Sequence, residues 1–307
     1  MIICKLSDQL ANQMFAYASV KSIALDKGYD FKILGEYNNQ FLKNDTDKKY
    51  GNTLTSIFAD IAKETVREVP DGYSVYKENI TIDSRNDVEE GALNVNDNTL
   101  MLGHYISPKY FAHRLKDVQD WFKMPSDINE KTNRTIKMLK DKYPEAKFCS
   151  VHFRNALDYR VKGYMLSSDY WQNAAKKVLE NTVSQKIIFL VFYDRYSKLV
   201  SSFEGKFDCE TLHASLLEDF SLISKCDYHI VCNSSFSIMA ALMDVKGIDK
   251  NTFCPSIWPI PHGHYKFEIC PKEWVRVKTG HNTLSFVMGY VAPYLSIFKK
   301  IAYRYFN

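Results

Sequence analysis

The chain has 307 residues, 46% hydrophobic and 25% charged, a composition that excludes disordered and fibrous classes and is long enough for two domains with cores of their own. Forty Lys and Arg against 36 Asp and Glu leave a net charge of +4. So small and dispersed an excess excludes the basic footprint of a nucleic-acid binder and directs attention to small, locally held anions.

The amino terminus, Met1 to Lys5, enters strand-like sequence at once, without the n-region, h-region or cleavage site of a secretory signal. A cytoplasmic location is expected, and Asn79-Ile-Thr81 and Asn133-Arg-Thr135 then read as chance sequons. Seven cysteines (Cys4, Cys149, Cys209, Cys226, Cys232, Cys254, Cys270) lack a C-x-x-C pair and mostly sit in apolar runs, which predicts buried thiols in a reducing compartment. Residues Ile2 to Leu6 predict a strand, Ser7 to Asn12 a polar loop, and Gln13 onward a helix ending where Gly28 supplies a C-cap. The stretches Glu36 to Gln40 and Asn44 to Lys49 are turn-rich and carry no assigned chemistry. Met101 to Phe111 reads as a short strand followed by a helix start.

A charged helix, Asn129 to Lys142, and the stop Tyr143-Pro144 mark a boundary. The expected domains are 1–145, 146–280 and a tail over 281–307. The second domain alternates apolar strands (Phe148 to Phe153, Lys186 to Tyr193, Tyr228 to Cys232) with helices (Asp169 to Leu179, Leu216 to Ser224). That order predicts an α/β class with a parallel sheet.

Ligands of open α/β sheets bind outside the carboxyl ends of the strands. Arg154 and Asp158 follow the first of these strands, Asp194 the second, and Asn233-Ser234-Ser235 the third. The last three precede an apolar helix, Phe236 to Met243, whose free N–H groups and dipole can hold a phosphate; a plain N-cap is the alternative. Arg154 offers a permanently charged planar fork for phosphate oxygens. Asp158 either orients Arg154 or acts as a general base, and Asp194 could accept two N–H bonds from guanine. His152 shares a strand face with Arg154, either as a core histidine or as part of the anion site. His262-Gly-His264 offers two potential ligands without a third, and no metal is expected. No G-x-G-x-x-G or P-loop is present.

Several blocks are similar to the α-1,2-fucosyltransferases of glycosyltransferase family 11. Leu10-Ala-Asn-Gln-Met-Phe15 with Tyr17 resembles G-G-L-G-N-Q-M-F-x-Y, and Gly103 to Phe111 resembles G-Y-x-Q-S-x-x-Y-F. Val151-His-Phe-Arg154 with Asp158-Tyr159 resembles V-H-I-R-R-G-D-Y. Glu218-Asp-Phe through Asn233-Ser-Ser-Phe-Ser237 resembles E-D-x-x-L-M-S…N-S-S-F-S-W-W. The resemblance implies a GT-B-like fold of two Rossmann-like α/β domains facing across a cleft, a GDP-sugar donor on the second domain, and a glycan acceptor reached from the first. Carried over, it places the donor on His152, Arg154, Asp194, Asn233, Ser234, Ser235 and Phe236, and the acceptor near Asn12, Gln13 and Tyr105. It implies inverting transfer without a metal, with leaving-group stabilisation as the largest task. Asp8, His104 and Asp158 are the candidates for general base.

The departures bear on specificity. Asp8-Gln-Leu-Ala11 replaces G-G-L-G, Asn155 replaces the second Arg of R-R-G-D, Ile238-Met239 replaces W-W, and, where Phe192-Tyr-Asp194 echoes F-S-D-D, Arg195 replaces its second Asp. A donor lacking a hydroxyl, GDP-colitose rather than GDP-fucose, fits such losses; a degenerate binding module and a transferase for another donor or linkage are the alternatives. Leu284 to Phe298 is a nearly uncharged apolar run, too short to span a bilayer and followed by Lys299, Lys300 and Arg304. It reads as a membrane-surface helix suited to a lipid-linked acceptor in surface-glycan (O-antigen) synthesis, or as a closing helix, with Pro293 interrupting either.

Overall fold

The computed structural model describes residues 1–35, 50–51, 53–79, 88–212, 214–246, 251–260, 263–266 and 269–291. The stretches 36–40 and 44–49, Thr81 of the first sequon, His262, and tail residues 292–307 with Pro293 lie outside the described residues.

Five parallel strands, β1 (Ile2–Lys5), β2 (Phe31–Leu34), β3 (Thr65–Val66), β4 (Ser74–Lys77) and β5 (Thr99–Leu102), form one sheet in the order β3-β2-β1-β5-β4. Ile2, Ile3 and Cys4 are fully buried at its centre. The following helix, Leu10–Asp26, starts three residues earlier than expected. Leu10 and Ala11 gain by burial what the missing side-chain cap would have supplied. Asn12 and Gln13 therefore sit in its first turn. Its end is a Schellman closure: Gly28, at φ 67°, and Tyr29 donate to the carbonyls of Leu25 and Ala24.

The second sheet holds β6 (Lys147–Phe153), β7 (Ile187–Tyr193), β8 (Cys209–Thr211), β9 (Tyr228–Ile230), β10 (Thr252–Pro255) and β13 (Val275–Val277). All are parallel, in the order β13-β10-β9-β6-β7-β8. A separate antiparallel hairpin joins β11 (Ile257–Ile260) and β12 (Gly263–Lys266). Every residue of β6 after Lys147 is buried, because helices cover both faces, and this is why β7 reads as an unbroken apolar run and β6 as one interrupted only by Ser150 and His152. β8, β10 and β13 are only three or four residues long, too short to stand out in sequence.

The two units meet through helices. The first helix packs on Ser235–Leu242, and one continuous apolar cluster joins Met14 and Phe15 to Ile238, Met239 and Leu242. The charged helix, Ser126–Lys142, precedes the expected boundary yet lies against Leu216–Lys225 of the second unit. Thr132 Oγ1 meets Ser221 Oγ at 2.9 Å in the buried seam, and Lys225 Nζ donates to Asn129 and Asn133. A second cluster around Phe153, Trp171, Phe189 and Phe203 fills the opposite face of the second sheet. The arrangement is α/β, with two parallel sheets each flanked by helices. No helix among the described residues is long and apolar enough to cross a membrane.

Candidate active site

Strands β9, β6 and β7 are neighbours, so the segments that follow them converge at one carboxyl edge. Arg154, one residue beyond β6, donates from Nη1 to Asp194 Oδ2 at 2.6 Å and from Nη2 to Asp158 Oδ2 at 3.0 Å. Its guanidinium lies 4.8 Å from the ring centroid of Tyr159, whose hydroxyl donates to the carbonyl of Asn233 at 2.8 Å. Burial opposes the Arg154 charge, but Tyr159 and the two carboxylates outweigh it and raise the guanidinium above its ordinary range. The cluster thus fixes a cation where three strand ends meet.

Asp194 accepts from Arg154, from the Asn155 N–H at 2.9 Å and from the Ala156 N–H at 3.2 Å. With both oxygens engaged by the protein's own donors, it has the geometry of a brace for Arg154 rather than of a free reader of guanine. Asp158 makes one bond to Arg154, and its side chain is 43% exposed, against 18% for Asp194. The Asn155 side chain, in the place of the second arginine, is fully buried, and neither amide atom has a partner among the described residues.

The Asn233-Ser234-Ser235 set does not cap its helix with side chains. Ser234 is the N-cap residue without a side-chain cap bond. Asn233 Nδ2 instead donates to the Tyr164 carbonyl at 2.8 Å, and Ser235 Oγ donates across the units to Asn12 Oδ1 at 2.5 Å. The first-turn N–H groups are thereby left to other acceptors. His152 is buried: its Nδ1 lies 3.3 Å from Cys232 Sγ, and burial, with Arg154 adding, holds its pKa down to about 3. It is a neutral core imidazole, its ring 5.4 Å from that of Phe236.

On the first unit, His104 Nε2 pairs with an Asp8 carboxylate oxygen, bringing together two general-base candidates that are 96 residues apart by number. Asp8 has φ 64°, the left-handed conformation that glycine takes freely and aspartate tolerates better than most residues. Gln13 is buried and used internally, Nε2 on the Asp8 carbonyl and Oε1 on the Leu54 N–H. Tyr105 is likewise buried, its ring edge-on to Tyr110. Neither presents its side chain to an acceptor sugar, which corrects that expectation: the hydrophobic effect draws the ring inward, and a backbone carbonyl and a backbone N–H claim the two ends of the amide. Asn12 remains at the junction.

Asp219 is the middle residue of the Glu218-Asp-Phe segment. It lies in the first turn of Leu216–Lys225, one residue from Phe220, whose ring is edge-on to Phe236. Its Oδ1 is buried without a partner among the described residues, and burial, with Glu218 beside it, pushes its pKa up to about 8. The signal available in sequence is that Glu218 fills the capping box of this helix, which leaves Asp219 no local task. By contrast Ser150, His229 and Asp244 line up as a Ser-His-Asp chain at 2.9 and 3.3 Å but are sealed in the core, so they tie the sheet to the Ser235–Leu242 helix instead of meeting substrate. No group of three or more His, Cys, Asp or Glu disposed to hold a metal occurs among the described residues.

The sequence profile of Glycosyl transferase family 11 matches residues 75–278. An alpha-1,2-colitosyltransferase of Escherichia coli is 24% identical over 302 residues, covering 90% of this chain and 99% of that one. Among solved structures, the fucosyltransferase NodZ from Bradyrhizobium is similar with a TM-score of 0.47 at 14% identity, covering 79% of this chain and 92% of that one. POFUT1 in complex with GDP is similar with a TM-score of 0.43 at 11% identity, covering 82% and 96%.

Proposed function

The chain belongs to glycosyltransferase family 11, and on that premise we propose that it moves a 6-deoxy-L-hexose, colitose or L-fucose, from a GDP-sugar to the 2-hydroxyl of an acceptor galactose, with inversion. The observation that carries this reading is Arg154, a cation braced by Asp194 where three strand ends meet, beside the open start of the Ser235–Leu242 helix. In the transfer, the acceptor oxygen bonds to the anomeric carbon as the bond from that carbon to the GDP β-phosphate oxygen breaks. The departing diphosphate gains charge, which Arg154 and the helix-start N–H groups stabilise without reorganising. Asp158, the exposed partner, yields Arg154 to the phosphate. Asp219, with a free buried oxygen, accepts the guanine N–H donors. The Asp8 and His104 pair takes the acceptor hydroxyl proton.

Colitose is the favoured donor: the colitosyltransferase relative supports it, and so does the neutral Asn155 in the place of an arginine, since a sugar without its 3-hydroxyl needs fewer polar partners. A lipid-linked acceptor in O-antigen or related surface-glycan synthesis, met at the inner face of the membrane, completes the proposal. The competing reading, a nucleotide- or glycan-binding module without turnover, draws on the replaced glycines and arginine; sugar transfer from a GDP-sugar would exclude it. The test is a thermal-shift titration with GDP, UDP, ADP and NAD in EDTA, on the wild type and Arg154→Ala. Stabilisation by GDP alone, lost in the variant, is expected; a response indifferent to Arg154 would remove the site assignment.

A further inference from the structure

The helix over residues 283–291 turns Ser285 and Gly289 inward. Ser285 Oγ donates to the carbonyls of Arg160 at 2.9 Å and Tyr159 at 3.3 Å, and Asn282 caps the Ser285 N–H at 3.0 Å. The outward face of the helix carries Leu284, Val287, Met288 and Val291, the i, i+3, i+4, i+7 stripe that normally faces a core. Leu284 is 75% exposed and Val287 51%. Exposed Leu157 and Tyr196 lie alongside a cavity of about 500 Å³ that Leu284 and Met288 also line, together with the apolar walls Val161 and Leu166. An apolar stripe continuous with an apolar cavity requires a cover.

The charges around it select the cover. Arg160, Arg195 and Lys198 line the same cavity, and no carboxylate is within ion-pair distance of any of them among the described residues; Arg160 Nε donates only to the Asn155 carbonyl at 2.9 Å. A second copy of this face would bring three cations against three cations. Residues 292–307 of this chain add three more cations and no acidic side chain. We propose that this surface binds a phosphate-headed lipid at an anionic bilayer surface, its hydrocarbon against Leu284, Val287 and Met288 and entering the cavity, its phosphate on Arg160, Arg195 and Lys198. The proposal rests on the membrane-surface reading of the tail and is independent of the donor assignment.

The full chain is floated with phosphatidylcholine vesicles with and without phosphatidylglycerol, beside the pair variants Leu284→Asp/Val287→Asp and Arg160→Ser/Lys198→Ser, both on exposed positions. The wild type is expected to float only with phosphatidylglycerol, and less so in high salt. The apolar pair should abolish this, and the cationic pair should weaken it by about thirtyfold, at the usual worth of two surface cations. Each variant is also titrated with GDP, so that a loss of flotation with the GDP response kept reports on the lipid surface alone. Absence of flotation in the wild type, equal flotation of all three proteins, or a dimer in light scattering that Leu284→Asp/Val287→Asp dissolves would each overturn the proposal.

Discussion

The two carboxylates on Arg154 should respond in opposite directions when neutralised. Arg154, Asp158 and Asp194 together carry a net charge of −1, so a diphosphate competes with both carboxylates for the guanidinium. Asp158 makes a single 3.0 Å bond and its side chain is 43% exposed, and exposed pairs of this kind are worth about 0–1 kcal/mol. Asp158→Asn should therefore leave GDP binding unchanged or tighten it by up to about fivefold. Asp194 accepts three donors from a side chain only 18% exposed. An amide cannot accept all three, and losing one charge-assisted bond costs about 1.5–3 kcal/mol. Asp194→Asn should weaken GDP by roughly tenfold to a hundredfold. Titration calorimetry with GDP in EDTA reads both. If the two variants shift affinity in the same direction by similar factors, Arg154 is not shared between a releasable and a fixed carboxylate, and the account of the cluster fails. Turnover separates a further role: Asp158→Asn that binds GDP normally yet loses transfer would move the general base from the Asp8 and His104 pair to Asp158.

The remaining predictions concern other parts of the molecule. Asp219 keeps its proton in the folded protein up to about pH 8, whereas the ordinary carboxyl loses it near 3.8. Between those values the folded state binds more protons, so Asp219 contributes stability at low pH that is lost as pH rises towards 8. Urea unfolding across that window should show a decline that Asp219→Asn flattens, and an unchanged slope would count against the buried-acid description. Guanine donors on the carboxylate should make GDP binding release a proton near pH 7, read by calorimetry in buffers of differing ionisation enthalpy. His104→Ala should lower kcat by about 10² to 10⁴ while GDP affinity holds; a loss confined to KM would indicate acceptor binding instead. Phe15 is fully buried where the two units meet, and Phe15→Ala should cost about 3–5 kcal/mol of stability in denaturant unfolding.

What the sequence determined by itself was local and periodic. The apolar runs of β6 and β7, broken only by Ser150 and His152, follow from burial on both sheet faces, and the Gly28 stop follows from a left-handed position that glycine occupies without strain. Because consecutive parallel strands expose their carboxyl ends on one edge, the neighbourhood of Arg154, Asp194 and Asn233 was also legible. Which side chains in it are free was not, because hydrogen-bond partners come from distant segments. Asn12 meets Ser235 across 223 positions, Gln13 is claimed by the Leu54 N–H, and the acid at the end of β7, Asp194, is consumed by Arg154 and two backbone donors. Only tertiary structure decided that Tyr105 points into the core, that Asp8 touches His104, and that Asp219 keeps a buried oxygen without a partner among the described residues. The same holds for the tail, whose composition shows an apolar stripe, while the inward turn of Ser285 onto Tyr159 and Arg160 determines that the stripe faces out.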